Sequence, residues 1–402
     1  MNLRYRRCEG AVLHTEEGGR IVDFLSGYCV HNTGHNHPVI IQALKDELDR
    51  KGPGMLQSHV PESAGELASK LCERAGGRLS KVFFACSGSE GVEAAIKLAR
   101  ATTKRTALLS ATKAFHGLTC GALSLMDDPF WKDGFGPMLA RTETVAFGDL
   151  AELEKKLATR QFAAFIVEPL QAEAGILVPP EQYLKAAGDL CHKYDSLFVL
   201  DEVQTGLYRT GPFLASQHFP GVDADMIVLA KALPGRLIPV SALLMTDTIY
   251  ESVFTSLKRS IVHTSTFSEN GMSMRAGLAT LQVLEDENLG ERALAMGALL
   301  RDSLTEALAS YEMVKGVVGL GLLNGIQFQV PRSVSLRVGY EAFKAIHPGM
   351  FGQVVAMRLF RDHGFLTQMC GNNFNDFESG TSAGGGGIGR LRLCRGHAAG
   401  GG

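Results

Sequence analysis

Residues 196–211 read SLFVLDEVQTGLYRTG, and this stretch decides the fold. An uninterrupted apolar run, residues 197–200, ends directly in two carboxylates, Asp201 and Glu202. Such a run is typical of a strand buried on both faces, where an unpaired charge carries a large free-energy penalty. Acidic residues at the end of a buried strand therefore indicate that they hold something cationic, a metal or a protonated ligand nitrogen.

Similar apolar runs recur on either side of this strand, at residues 81–86, 106–110, 162–168, 226–230 and 240–245. The stretches between them carry apolar residues at helical spacing, as at 92, 95, 96 and 99. Continuous apolar strands separated by helices predict an α/β fold, a mostly parallel sheet covered by helices. Ligands of such sheets bind at the carboxyl ends of the strands, which is where Asp201 stands.

The two ends of the chain predict a smaller α+β domain built from both termini. Residues 11–25 read as a strand pair turned at Gly18 and Gly19, and residues 38–51 read as a helix. A long helical region (276–311) and a strand-turn-strand pattern (313–330) follow the large domain. The predicted divisions are an N-terminal segment of the small domain (1–55), a large cofactor-binding domain (56–275), a C-terminal small domain (276–379) and a Gly-rich tail (380–402) whose composition predicts disorder.

Composition excludes several classes of partner. The 402 residues carry a formal net charge of -2, which gives no electrostatic reason to expect nucleic acid. No apolar segment approaches the roughly 18 residues of a membrane span, and no apolar stretch follows the basic N-terminus as in a secretory signal. The eight cysteines form no C-x-x-C pair, so a reduced, cytoplasmic protein is expected.

Three local features point together to one cofactor. Ser87 and Glu90 have capping-box spacing, so a helix should begin near Gly88, and its N-terminus could cradle a phosphate. Lys231 follows another strand directly, where a lysine either reaches solvent or, if partly desolvated, can form a Schiff base. A phosphate cradle, a buried carboxylate and such a lysine suggest pyridoxal 5′-phosphate (PLP), with Asp201 keeping the ring nitrogen protonated.

Seven motifs in order, VDFLSGYCVHNTGHNHP, SGSEGVEAAIKLAR, AFHG, FIVEPLQAEAG, LFVLDEVQTGLYRTG, LAKAL and HTSTFSENG, resemble those of class III (ornithine/acetylornithine-type) aminotransferases. The resemblance covers roughly residues 10–373 and implies a fold-type I PLP-dependent transferase. It implies Lys231 and Asp201 as catalytic residues. The cofactor-binding residues it implies are Gly88, Ser89, Phe115, His116, Asp201, Val203, Gln204, Lys231 and Thr266. Thr266 would reach the phosphate of a neighbouring subunit, so a homodimer with shared active sites is expected.

The substrate end departs from the family pattern. Leu118 stands where ornithine and acetylornithine enzymes usually have an arginine that grips a substrate carboxylate. Glu173 matches the family glutamate that masks a second arginine. The C-terminal sequence has no such arginine in its expected place. Tyr28 is a further candidate substrate contact, and KALPGR replaces the usual Gly-rich loop after the lysine, placing Pro234 and Arg236 near the cofactor.

These residues predict an aminotransferase that moves an amino group between a terminal primary amine or aldehyde and an oxo-acid or amino-acid partner by a ping-pong mechanism. The alternatives are an amino-shifting isomerase or racemase on the same scaffold, or a relative weakened by its altered C-terminus or without catalysis. A test of oxo-acid dependence separates transfer from isomerisation, since an isomerase needs no acceptor.

Several polar residues allow a plainer interpretation. His31, His35 and His37 could suggest a metal, but they flank Gly34 and Pro38 in a predicted loop that no carboxylate is expected to accompany, and no metal is predicted. Arg209 either clamps a substrate carboxylate or makes a structural ion pair, and the second is favoured. Glu168 either orients cofactor groups or simply ends a strand. The stretch GLGLLNG (319–325) is interpreted as a strand turn because it lacks dinucleotide-binding spacing.

Overall fold

The computed structural model describes residues 3–55, 61–346, 349–370 and 376–380. Its strands are β1 (Tyr5–Glu9), β2 (Val12–Thr15), β3 (Arg20–Asp23), β4 (Leu79–Ala85), β5 (Ala107–Ala111), β6 (Thr142–Val145), β7 (Phe162–Val167), β8 (Leu197–Asp201), β9 (Met226–Leu229), β10 (Ser241–Thr246), β11 (Val314–Leu320), β12 (Leu323–Phe328), β13 (Phe365–Leu366), β14 (Gln368–Cys370) and β15 (Asp376–Gly380). Its helices are α1 (Ser26–Cys29), α2 (Pro38–Arg50), α3 (Glu62–Ala75), α4 (Gly88–Thr103), α5 (Cys120–Ser124), α6 (Pro129–Lys132), α7 (Leu150–Leu157), α8 (Tyr183–Lys193), α9 (Asp247–Val253), α10 (Gly271–Asp286), α11 (Leu289–Leu308), α12 (Val334–Ile346) and α13 (Met350–His363). Two 3₁₀ turns lie at Ala215–His218 and Leu257–Arg259.

The central sheet has seven strands in the order β4-β10-β9-β8-β7-β5-β6. Strands β9, β8, β7, β5 and β6 run parallel, whereas β10 is antiparallel to both of its neighbours. All six predicted apolar runs are strands of this sheet, which confirms the mostly parallel α/β architecture. The sequence pattern did not predict β6. This edge strand is only partly buried, and its sequence, TETV, lacks a continuous apolar run.

Both faces of the sheet are buried under helices. Successive residues of one strand belong to opposite core clusters, as Leu108 and Leu109 of β5 do. Helix α4 packs its apolar side into one of these clusters, and every residue of β7 is buried. This burial on both faces explains why the strands read as unbroken apolar runs.

Two smaller sheets are built from the ends of the chain. One has the order β1-β2-β3-β13, so Phe365 near the C-terminal end pairs in parallel with Val22 of β3. The other has the order β11-β12-β15-β14. The N-terminal hairpin turns through Gly18, whose φ of 85° lies in the left-handed region that glycine tolerates best. The domain boundaries given above stay a prediction.

The long helical region predicted at 276–311 is two helices, α10 and α11. The chain breaks between them at Asn288, whose φ is 50°. The strand turn predicted at 319–325 is confirmed by the β11–β12 hairpin, with Gly321 between the strands. The predicted Gly-rich tail (380–402) lies outside the described residues except for Gly380, which ends β15.

None of the helices in the described part of the chain combines the length and apolar character that a bilayer crossing demands.

Candidate active site

One cavity of about 370 Å³ opens where the carboxyl ends of β8 and β9 meet the N-terminus of α4. The predicted site residues that line it are Gly88, Ser89, Phe115, His116, Asp201, Val203, Gln204 and Lys231. Ser87, Gly117, Glu168, Thr205, Pro234 and Arg236 line it as well. The topology thus brings together residues that lie more than a hundred positions apart in the sequence, as expected at strand ends of this kind of sheet.

The N-terminus of α4 forms one wall of the cavity. The helix begins at Gly88, as predicted, and the Ser87 hydroxyl accepts a hydrogen bond from the Glu90 N–H at 3.3 Å. The Glu90 carboxylate accepts from the N–H of Cys86 at 2.9 Å, one residue earlier than in a standard capping box. A Cβ placed on Gly88 would lie 2.9 Å from a methyl carbon of Val203. The absent side chain therefore leaves a tight backbone cradle at a helix end that favours anions.

Asp201 ends β8 and is almost fully buried. One carboxylate oxygen lies 2.8 Å from His116 Nδ1, and the other accepts a hydrogen bond from the Val203 N–H at 3.1 Å. His116 is buried too, and among the described residues its Nε2 has no hydrogen-bond partner. A buried polar atom without a partner is uncommon, and the His116 side chain itself is fully enclosed by protein.

Lys231 lines the cavity two residues after the end of β9, and its ammonium donates a hydrogen bond to the side-chain oxygen of Gln204. Its backbone φ of 41° lies in the left-handed region, which costs a non-glycine residue about 1–3 kcal/mol. Burial raises the pKa of Glu173, and the charge of Lys231 and a hydrogen bond with Gln204 act in the opposite direction. Gln204 therefore connects the lysine to the predicted substrate-side glutamate.

Glu168 follows β7 and lines the same cavity. Its carboxyl group accepts a hydrogen bond from the Phe115 N–H at 3.2 Å. Burial, and then the nearby charge of Asp201, raise the pKa of Glu168 well above its usual range. Desolvation therefore favours the neutral form of Glu168 over the charged form.

Glu202 has a different role from its neighbour. Its buried carboxylate accepts hydrogen bonds from the backbone N–H groups of Ala215 (3.0 Å) and Ser216 (2.8 Å) and from the Thr205 hydroxyl. Burial raises the pKa of Glu202, and these hydrogen bonds lower it again in part. The expectation that both strand-end acids hold something cationic is therefore wrong for Glu202, because neutral donors at the start of a 3₁₀ turn satisfy it.

Four predicted residues do not line the cavity: Tyr28, Leu118, Glu173 and Thr266. Tyr28 and Leu118 are 54% and 55% exposed, and Thr266 is exposed as well. A single protomer thus leaves these side chains outside the cavity, and their roles stay predictions.

Arg209 is buried away from the cavity and donates hydrogen bonds to the side chains of Ser26 (3.1 Å) and Asn32. This favours the structural interpretation of Arg209 over a substrate clamp, although these two partners are neutral.

The histidine segment is accompanied by a carboxylate after all. Ligand atoms of Asp23, His31 and His35 all lie within 4.8 Å of one another, so the statement that no carboxylate accompanies these histidines is wrong. The partner comes from β3, which the local sequence pattern did not connect with them. Burial, His35 and the cations Arg236 and Arg209 hold the pKa of His31 down at about 2. The same guanidinium groups would repel a metal ion at this place. We therefore keep the prediction that no metal binds here.

Sequence reasoning missed one further residue, Gly117. A Cβ on Gly117 would lie 2.0 Å from the Ser89 hydroxyl oxygen, and its φ of 115° is one that side chains rarely adopt. Only glycine therefore lets this loop close over the start of α4, and the signal was its position directly after His116.

The residues present fit PLP. The cradle at Gly88 suits a phosphate, Asp201 offers a carboxylate to a cationic ring nitrogen, and Lys231 offers an amine. The fold and the cavity together define a fold-type I PLP-dependent enzyme.

The comparisons with known proteins name the family. The family model "Aminotransferase class-III" matches residues 1–377, and the chain belongs to this family. Class III aminotransferases use PLP and act on small amine and oxo-acid substrates. The predicted family, fold type, cofactor and transaminase class are confirmed at this level.

Three aminotransferases are similar to this chain over most of its length. Aminotransferase PigE of a Serratia species is 35% identical over 346 residues, 86% of this chain, and this chain spans only 40% of its length. The putrescine aminotransferase of Pectobacterium atrosepticum is 38% identical over 336 residues, 81% of this chain and 71% of the relative. The crystal structure of Toxoplasma gondii ornithine aminotransferase superposes with a TM-score of 0.84 at 28% identity, covering 95% of this chain and 86% of that one.

Proposed function

We propose that the protein is a PLP-dependent aminotransferase that moves an amino group between a terminal primary amine or aldehyde and an oxo-acid or amino-acid partner by a ping-pong mechanism. The observation that carries the proposal is the single cavity that joins Lys231, Asp201 and the N-terminus of α4.

The proposed cofactor contacts follow from the walls of this cavity. When bound, PLP supplies an aldehyde and an electron-withdrawing ring. Gly88 and Ser89 would hold its phosphate through backbone N–H groups at the helix N-terminus. Asp201, oriented by His116, would hold a proton at the ring nitrogen, since a buried carboxylate beside it favours the cationic form.

Ring position and proton transfer fall to other residues. Phe115 and Val203 would cover the two ring faces, and Gln204 would lie near the phenolic oxygen. Lys231 would take the proton from the substrate carbon that bears the amine and return a proton as general base and acid. Its strained backbone and its hydrogen bond to Gln204 support a fixed approach of the amine.

The proposed substrates are amines without a carboxylate near the reacting end. A leucine at position 118 cannot make the paired hydrogen bonds that an arginine makes with a carboxylate. This chain is similar both to a putrescine aminotransferase and to an ornithine aminotransferase, so diamines and ornithine are the amines to compare. Tyr28, Leu118 and Glu173 are the proposed substrate-side residues.

A homodimer with shared active sites is part of the proposal. Thr266 lies outside the cavity of its own protomer, in a segment with exposed apolar side chains: Leu257 (94%), Ile261 (75%) and Phe267 (61%). Such a patch on one protomer is typical of a surface that another subunit covers. A cytoplasmic location is proposed because the seven cysteines of the described residues are free thiols.

A substrate screen tests the reaction. Diamines, ornithine, lysine and apolar amines are offered with 2-oxoglutarate or pyruvate as acceptor, and turnover should require both partners. Turnover without any oxo-acid would instead indicate an isomerase or racemase. An absorbance spectrum of bound PLP that no amine changes would indicate a protein without catalysis.

Mixed dimers test the shared site. Lys231→Ala and Thr266→Asp are each expected to be inactive alone. If Thr266 acts across the interface, a mixed dimer holds one intact site, and random mixing should restore about a quarter of normal activity. If it acts within its own subunit, mixing restores nothing.

A further inference from the structure

The cavity contains a guanidinium group without an acidic partner. Arg236 lines the cavity and is exposed, and among the described residues no carboxylate lies within ion-pair distance of it. The other charged groups of the cavity wall are already engaged: Asp201 with His116, Glu168 with a backbone N–H, and Lys231 with Gln204. Arg236 is thus the cation best placed to receive an anionic group from solution.

The loop after Lys231 holds Arg236 in an unfavourable backbone conformation. Its φ is 74°, in the left-handed region that an arginine rarely adopts, and the preceding Gly235 has a φ of 57°. The sequence PGR stands here in place of the usual Gly-rich loop. A large cationic side chain kept in a strained position at a cavity wall points to a function for that side chain.

A buried chain of hydrogen bonds orients the guanidinium. Arg236 donates from one terminal nitrogen to His35 Nδ1 at 3.0 Å, and the opposite ring nitrogen of His35 donates to Asp23 at 2.7 Å. His35 and Asp23 are both buried, and the second oxygen of Asp23 accepts from the Ser26 N–H at 2.8 Å. The carboxylate fixes the histidine tautomer that accepts from arginine, as second-shell partners do around other functional groups.

This contact leaves most of the fork free. A guanidinium has five N–H donors in one plane, and its pairs with carboxylates are commonly bidentate. Within the described part of the chain His35 uses one of these donors, so the others can meet a planar anion at the cavity wall.

We propose that Arg236 binds the carboxylate of the oxo-acid or amino-acid partner, and that Asp23 and His35 are its positioning residues. The inference rests on the proposed aminotransferase function and names the acceptor-side contact that Leu118 cannot provide. The amine partner, by contrast, needs no carboxylate contact.

The first test measures binding without turnover. Glutarate, a dicarboxylate that cannot react, is titrated calorimetrically into the PLP-loaded protein. Arg236→Ala should weaken its affinity about tenfold or more, and Arg236→Lys should fall between, because an ammonium cannot form the paired contact. The control Arg361→Ala removes an exposed arginine of α13 that does not line the cavity and should leave the affinity unchanged. Equal glutarate affinity in wild type and Arg236→Ala would overturn the proposal.

The second test uses acceptors that differ in the carboxylate. Arg236→Ala should raise KM for 2-oxobutanoate much more than for propanal, which lacks the carboxylate. His35→Phe should also raise the ratio of the KM for 2-oxobutanoate to the KM for propanal. Its effect on kcat should be smaller, as expected of a positioning residue. Loss of bound PLP from Arg236→Ala with an unchanged acceptor ratio would assign the arginine to the cofactor phosphate and overturn the proposal. A wild-type protein whose spectrum no amine changes would refute the aminotransferase function itself, whatever the glutarate result.

Discussion

Exchanging Asp201 for asparagine should remove activity while leaving the fold intact. Asparagine keeps the shape of the side chain and an oxygen that can accept the Val203 N–H, and its amide can still hydrogen-bond His116. The free energy of unfolding should therefore fall by only about 1 kcal/mol. The negative charge beside the proposed ring position is lost, and turnover should fall on the order of 10²–10⁴-fold. That loss corresponds to about 2.7–5.5 kcal/mol of activation free energy.

The matched control is the same exchange one residue later, Glu202→Gln. Glutamine offers one oxygen to the three donors that Glu202 now satisfies, and its NH₂ group must face another N–H. Each buried donor left unsatisfied costs about 1–3 kcal/mol, so the unfolding free energy should fall by about 2–4 kcal/mol. Activity per folded molecule should stay near that of wild type, because Glu202 is not among the residues that line the cavity.

Urea unfolding followed by far-UV circular dichroism gives the stabilities, and steady-state rates corrected for folded fraction give the activities. Asp201→Asn should be stable and inactive, whereas Glu202→Gln should be active and destabilised. An Asp201→Asn variant with turnover within about threefold of wild type would refute the assignment, since one tenfold step is 1.36 kcal/mol. Equal stability loss in both variants would refute the distinction between the two carboxylates.

Three other predictions concern separate parts of the molecule. Borohydride reduction of the PLP-loaded protein followed by peptide mapping should place the pyridoxyl mass on Lys231, and label on another residue would contradict the cofactor assignment. Leu118→Arg should raise turnover with ornithine relative to a diamine, whereas a strong preference of the wild type for ornithine would show that another residue supplies the clamp. His192 donates to Asp225 at 3.0 Å, and this hydrogen bond raises the pKa of His192 above its ordinary 6.5. The stabilisation is complete below that ordinary value and is lost as pH rises through the raised pKa, so His192→Gln should flatten the fall of unfolding free energy as pH rises above 6.5.

The sequence by itself was enough for the parts of the protein that depend on local pattern. Strands buried on both faces, such as β7 and β8, must be continuously apolar, and the capped start of α4 needs residues only three positions apart. Asp201 is the last residue of β8 and Lys231 lies two positions after the last residue of β9, so the local apolar pattern was enough to place both near strand ends. The partly buried edge strand β6 escaped because it has no such pattern.

What only the tertiary structure decided is which side chains meet. Asp201 and Glu202 have similar local surroundings, yet the first faces the cavity beside His116 and the second caps a turn that begins at Ala215. Adjacent residues of an extended chain point to opposite sides, but which side becomes the cavity is set by loops from distant parts of the chain. The contacts of Asp23 with His35 and of His35 with Arg236 have the same origin. They join β3, the loop before α2 and the loop after β9. Contacts between such distant segments cannot be predicted from the spacing of residues in the sequence.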